Sequence, residues 1–252
     1  MPWTETGSLS FNARFEEGDE QSAERTLDEL EDLRLRLEDR FEHAPGGNTV
    51  ILHPASAWLS AAHPFLPAAR AASAPAGRRY LAGWATVSEI HTLNDAALER
   101  RAAGPDSLRA LRGTARRLYA QIVLAANNER IPPAWGPRAF ARYLRWAWVI
   151  EGGAQYYSGQ VSSFRTAVLR RLNEGPEPEF PPSARDAIIL GGSVFALLDR
   201  EVGPHACDLL VSRLRKDGPA RALENAFGVG IEVIEPAWRE HVADLAGSGP
   251  RL

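Results

Sequence analysis

A chain of 252 residues, 44% hydrophobic and 24% charged, has ample material for one large core or two small ones. Its net charge of −3 gives no bulk attraction to nucleic acid or to anionic membrane, so neither is expected as a partner. A single cysteine, Cys207, excludes an internal disulfide and a cysteine-rich zinc site, and the lack of a run of about 18 apolar residues excludes a membrane-spanning helix.

Residues 1–14 have neither the basic start nor the apolar centre of a signal peptide, so the expected location is cytoplasmic. Over residues 8–16, Leu9, Phe11, Ala13 and Phe15 alternate with polar neighbours, which predicts a strand with one buried face. Gly18 and Asp19 end it. Ala23, Leu27, Leu30, Leu33, Leu37 and Phe41 then recur at three- and four-residue steps, predicting a helix over 22–41 with a solvated face of Glu24, Glu31, Arg34 and Glu38. Pro45-Gly46-Gly47 is a turn into a short buried strand over 48–53, followed by a short helix over 57–61. The Pro- and Ala-rich residues 63–78 read as a surface loop, and Trp84 to His91 as a third strand.

Beyond Leu93 the periodicity is helical. Asp106 is placed to cap a long helix over 107–127 with Leu108, Leu111, Ala115, Leu118, Ile122 and Ala125 on one side. Pro132, Pro133 and Gly136 mark a loop, and a helix is expected from 137 to 160, eased at Gly152-Gly153. Residues 161–172 continue helically, and 174–182 form a proline-rich linker. Helices over 183–200, 204–216, 219–227 and 235–246 complete the chain. The predicted class is α+β, in two parts: a small mixed sheet with helices over 1–105 and a mainly helical part over 106–252.

Four stretches carry a resemblance: FNARFEEGDEQSAERTLDELEDLRLRLEDRFE, NTVILHPASAWLSAA, WVIEGGAQYYSG, and ARDAIILGGSVFALLDREVGPHACDLLVSRL continued by ALENAFGVGIEVIEPAWREHV. Together they resemble the peptidase MA-like branch of the gluzincin zinc metallopeptidases, whose motif W-x-x-E-G-x-A-E-Y-x-x-G is close to WVIEGGAQYYSG. The resemblance implies a thermolysin-like catalytic-domain architecture. It also implies a zinc site in which two histidines one helical turn apart, in HExxH, are joined by a glutamate from the later motif. That glutamate corresponds to Glu151.

The zinc-binding helix should lie between the third strand and Glu151. Set against H-E-x-x-H, the best register is Arg117-Leu118-Tyr119-Ala120-Gln121, and Gln155 stands where the second glutamate of the later motif belongs. Both metal-binding histidines and the general base are thus missing, and residues 92–204 contain no histidine at all. The expectation is a catalytically silent relative with no zinc and no other cofactor, whose vestigial site comprises Arg117, Leu118, Gln121, Glu151 and Gln155. An ion pair between Arg117 and Glu151 would supply the counter-charge a buried carboxylate needs, with Gln121 and Gln155 completing the hydrogen bonding. Tyr119, Trp148 and Tyr156 are expected to line the cleft. Trp135, Tyr143, Trp146 and Tyr157 are weighed as core against groove lining, and Arg138, Arg142 and Arg145 as a solvated basic stripe. The ligand would be a peptide or a protein; the alternative is a peptidase or other hydrolase using a non-standard site around Glu151. Among the scattered histidines, His53 and His91 end two predicted strands and could be neighbours in the sheet, as polar strand ends or as a relocated metal site.

Overall fold

The computed structural model describes residues 3–63, 65–131, 137–214 and 217–247. Five strands form one mixed sheet in the order β1-β2-β3-β5-β4. They are β1 (Trp3–Gly7), β2 (Phe11–Glu16), β3 (Asn48–His53), β4 (Gly83–Ala85) and β5 (Glu89–Leu93). The three central strands, β2, β3 and β5, run parallel, and β1 and β4 lie antiparallel at the two edges. The fold is α+β, as expected.

β2 buries Phe11, Ala13 and Phe15 and exposes Asn12 and Arg14, the alternation that fixes which face meets the core. Helix α1 (Glu20–Glu38) packs on β2 with its leucine stripe, Leu27 to Leu37, fully inside. Its opposite face is not wholly solvated. Glu31 accepts hydrogen bonds from Ser8 Oγ at 2.7 Å and from the Ser10 amide, which ties the β1–β2 turn to the helix and lowers its pKa. β3 is covered on both faces, with Val50, Ile51 and Leu52 consecutive and all buried, as in central parallel strands.

Three expectations are corrected. Residues 63–78 are not a loop: α2 (Ser56–Ala62) is followed by α3 (Phe65–Ala72) and α4 (Pro75–Arg78), with Leu66, Ala69 and Ala76 buried. Their prolines fall in first turns, where the amide has no intrahelical acceptor to lose. The third strand is two strands, β4 and β5, paired through a turn at Val87-Ser88. The helix over 107–127 is also two, α6 (Pro105–Arg112) and α7 (Thr114–Ala126), preceded by the short α5 (Asp95–Arg101). The break is at Gly113, where a Cβ would lie 1.6 Å from Gln160 Nε2, so the helix yields to let that amide reach the Ala110 carbonyl.

The remaining helices are α8 (Pro137–Tyr157), α9 (Arg165–Leu172), α10 (Ala187–Glu201), α11 (Pro204–Ser212), α12 (Pro219–Phe227) and α13 (Ile231–Gly247). α8 is irregular at Trp146 (φ −110°, ψ 15°), not at Gly152-Gly153. Those glycines serve packing. A Cβ on Gly152 would stand 2.4 Å from the Gly191 backbone, so α8 and α10 cross with their main chains in contact. α13 closes the helical layer through buried Trp238, whose indole donates to Ser193 Oγ at 2.8 Å. One apolar core joins the sheet, α1, α7, α8, α10 and α13. Among the described residues no helix is long and apolar enough to cross a membrane.

Candidate functional site

α7 runs beneath β4 and β5 and against α8, which brings its first turn to the sequence-predicted site. Arg117 points inward and is 2% exposed; Glu151, on the far limb of α8, is 3% exposed. Arg117 Nη1 donates to Glu151 Oε2 as an ion pair, and Nη2 donates to the Tyr80 carbonyl at 3.2 Å. Tyr143 Oη donates to the second carboxylate oxygen, Oε1, at 2.9 Å. Burial first, then the Glu151 charge, holds the Tyr143 hydroxyl well above the ordinary tyrosine range, so it stays a phenol and a donor. Both Glu151 oxygens are therefore engaged.

The two glutamines do not complete this network. Gln155 is turned toward α10: its Nε2 donates to Ile188 O at 2.6 Å and its Oε1 accepts from the Gly192 amide at 3.2 Å, the carbonyl and amide that one α-helical rung would join. Gln121 does face the site, but its buried Nε2 has no hydrogen-bond partner among the described residues. Leu118, next to Arg117, contributes apolar lining. The aromatic lining is Trp84 of β4 and Tyr143, not Tyr119, Trp148 and Tyr156. Tyr119 turns toward the sheet, stacking edge-on with Phe11 and donating to the Pro45 carbonyl at 3.0 Å. Trp148 and Tyr156 pack on Phe195, Trp146 and Tyr157 are core, and Trp135 lies outside the described residues. Sequence reasoning missed Trp84, Tyr80 and the decisive role of Tyr143; Tyr143 and Glu151 lie eight residues apart across the irregular turn at Trp146, beyond the three- and four-residue spacing at which a helix face signals a contact.

β4 forms one wall, with Gly83 placed so that a Cβ would meet the His91 carbonyl at 2.5 Å. The space left for water between β4, Arg117, Gln121, Tyr143 and Glu151 is about 20 Å³, room for one molecule. This donor set does not fit zinc. Where the resemblance calls for two neutral nitrogen ligands, α7 presents a guanidinium, a permanent cation that cannot coordinate.

A second polar cluster adjoins the first. His53 and His91 lie on adjacent parallel strands with Nε2 and Nδ1 2.9 Å apart, neighbours in the sheet as predicted. His91 Nε2 is 3.2 Å from Glu89 Oε2. His63, at the end of α2, sits edge-on to His91 at 4.3 Å between ring centroids. Trp84 links the clusters, 6.4 Å from the His63 ring and 5.8 Å from the Tyr143 ring. Burial first, then the charge of His91, lowers His53 to about 4; burial, then His91 and His53, lowers His63 to about 3. His91 is lowered by burial and partly restored by Glu89. Among the described residues no three histidine, cysteine, aspartate or glutamate side chains are placed to hold a metal. Cys207 is buried, and desolvation pushes its thiol up to about 12, so it is an inert core thiol.

Comparison with known protein families, with curated proteins and with solved structures finds no match to this chain.

Proposed function

We propose that this chain is a catalytically silent, gluzincin-type peptidase domain that binds a peptide or protein partner in the cytoplasm without zinc. The observation that carries the reading is the buried Arg117–Glu151–Tyr143 network. Glu151, the residue that matches the motif glutamate, is buried on α8, and the helix facing it supplies a cation where the resemblance calls for metal ligands. Fold alone does not confer chemistry. Glu151 with both oxygens engaged, beside space for one water, is poorly placed to act as a general base. With so little space inside, a partner would engage the rim around Trp84 and β4.

The test is equilibrium dialysis of untagged protein against zinc, followed by elemental analysis and a peptide-hydrolysis assay. Zinc near zero per chain and no cleavage are expected. About one zinc per chain, lost in Glu151→Gln, would overturn the reading, and zinc-independent cleavage abolished by the same variant would favour a hydrolase built around Glu151.

A further inference from the structure

A different feature, on the far side of Tyr80, points to a ligand. Arg70, Arg78, Arg79 and Arg101 gather around α3, α4 and the end of α5, and among the described residues none has a carboxylate partner. Arg101 donates to the carbonyls of Arg78 and Arg79 and to Ser56 Oγ. Arg70 donates to the Leu81 carbonyl and Ser60 Oγ, and Arg78 to the Ser73 carbonyl. Arg79, half-buried, makes neither an ion pair nor a side-chain hydrogen bond to the described residues. Elsewhere comparable arginines are matched, Arg25 by Asp95 and Arg40 by Asp208. The missing counter-charge is felt: burial, then the charges of Arg70 and Arg79, lowers Arg101 to about 10. Partly buried cations held together without an anion are unfavourable, and a bound anion relieves the cost.

Beside this cluster lies a cavity of about 170 Å³ lined by Arg79, Tyr80, Arg170, Ser107, Thr166 and Asp106. One wall is the start of α6, where first-turn amides lack intrahelical acceptors and the helix dipole favours negative charge. Ser107 in that turn is 4% exposed, and its Oγ, shut off from solvent, has no hydrogen-bond partner among the described residues. The one acid in the lining, Asp106, is taken up by Arg109 at 3.4 Å and Thr166 Oγ1 at 3.0 Å. Arg170 is shared with Glu174, which leaves Arg79 as the cation without a partner.

We propose that this cavity binds the phosphate group of a small phosphomonoester, or inorganic phosphate itself, independently of the peptidase-like reading. Arg79 offers a fork to two oxygens, and the α6 first-turn amides offer donors from a second direction. The donors from that second direction are the Asp106 and Ser107 amides, with the buried Ser107 hydroxyl behind them, and donors from two directions suit a tetrahedral oxyanion better than a planar carboxylate. The volume is below the roughly 300 Å³ of sites that enclose a drug-sized ligand, so the phosphate group enters and any remainder stays outside.

The experiment is calorimetric titration of the full chain, in chloride buffer, with inorganic phosphate and separately with glycerol phosphate, repeated on Arg79→Ala and Arg79→Lys. Saturable one-site binding is expected. Arg79→Ala should weaken it at least about tenfold, the worth of one charge-assisted hydrogen bond, and Arg79→Lys less. Because the Arg79 side chain bonds to none of the described residues and its charge opposes that of Arg101, the phosphate-free melting temperature of Arg79→Ala should equal or exceed the parent's. Tighter binding of glycerol phosphate would identify an ester as the ligand, and equal binding would identify the free ion. Non-saturable binding, or an Arg79→Ala titration like the parent's, would overturn the site. Competition by acetate as strong as by sulfate would overturn the phosphate assignment.

Discussion

Arg171 and Asp186, like Arg117 and Glu151, are an arginine and a carboxylate removed from water, yet the two pairs are built differently. Arg171 grips Asp186 with two parallel bonds, Nε to Oδ1 at 2.5 Å and Nη2 to Oδ2 at 2.7 Å. Its Nη1 also donates to the carbonyls of Glu174 and Pro176 at 2.9 and 3.0 Å. One guanidinium thus anchors the 174–182 segment, which has little secondary structure of its own, to the start of α10. Arg117 meets Glu151 through one nitrogen, shares it with Tyr143, and stands beside a one-water space and the unpartnered Gln121 amide. A bidentate, fully bonded pair is structural cement. The looser, single-nitrogen pair leaves a small polar space and a buried amide nitrogen beside it that no described residue satisfies.

The largest effect separating them should come from Arg171→Met. It strands a carboxylate and frees two carbonyls, and removing one member of a buried pair costs about 3–5 kcal/mol. Urea unfolding should show that loss, with the melting temperature down by roughly 10 °C. Adding Asp186→Leu should recover little, because the segment over 174–182 has still lost its anchor. A double variant restored to parental stability would mean that Arg171 serves Asp186 alone and anchors nothing else.

Arg117→Met should cost about 3 kcal/mol by the same logic. Here Arg117→Met with Glu151→Gln should regain most of it, since the neutral amide can still accept from Tyr143 and no charge is stranded. A double-mutant cycle in urea measures the coupling. A double variant as unstable as the single one would mean that Arg117 is held chiefly for the Tyr80 carbonyl and not for Glu151.

The histidine cluster gives an effect of intermediate size. His53 and His63 are neutral in the fold with pKa values lowered to about 4 and about 3, against about 6.5 in the unfolded chain. The unfolded state therefore binds more protons below pH 6.5. Stability is complete above that value, falls as the pH drops, and levels off only near the folded pKa values. At pH 5 the cost is about 2 kcal/mol per histidine. Unfolding at pH 7 and pH 5 should differ accordingly, and His63→Leu should flatten the dependence. A pH-independent stability over that range would show that the cluster is hydrated and not desolvated.

What the sequence made legible follows from how locally each feature is encoded. β2, α1 and β3 carry their periods in consecutive residues, so burial of Phe11, Leu30 and Leu52 could be read directly. β1 escaped because Trp3–Gly7 is an edge strand exposed along most of its length, leaving no alternation to detect. The helices at 65–78 were hidden by prolines whose first-turn positions cost nothing. The Arg117–Glu151 meeting was legible through the motif spacing. The Arg171–Asp186 grip was not, because it depends on how α9 and α10 fold back across a loop. Gln155 was misassigned for a similar reason: the tight crossing at Gly152 and Gly191 turns it toward the backbone of α10, a tertiary fact with no local signature.

The smallest effect is the sharpest discriminator of the looser pair. Gln121 lies one turn after Arg117, lines the same space, and buries an amide nitrogen that no described residue satisfies. Gln121→Met keeps the volume and removes the donor. If the nitrogen is dry, leaving it unmatched costs roughly 1 kcal/mol or more, and the substitution should raise stability by about that amount. If a water fills the 20 Å³ beside it and accepts from the amide, the same change should be neutral or lower stability by about 1 kcal/mol. A rise would describe a site closed over a packed ion pair, so that any partner must bind at the rim. A fall would describe a polar pocket still hydrated, and Trp84 and Tyr143 would be the next positions to substitute in a binding assay.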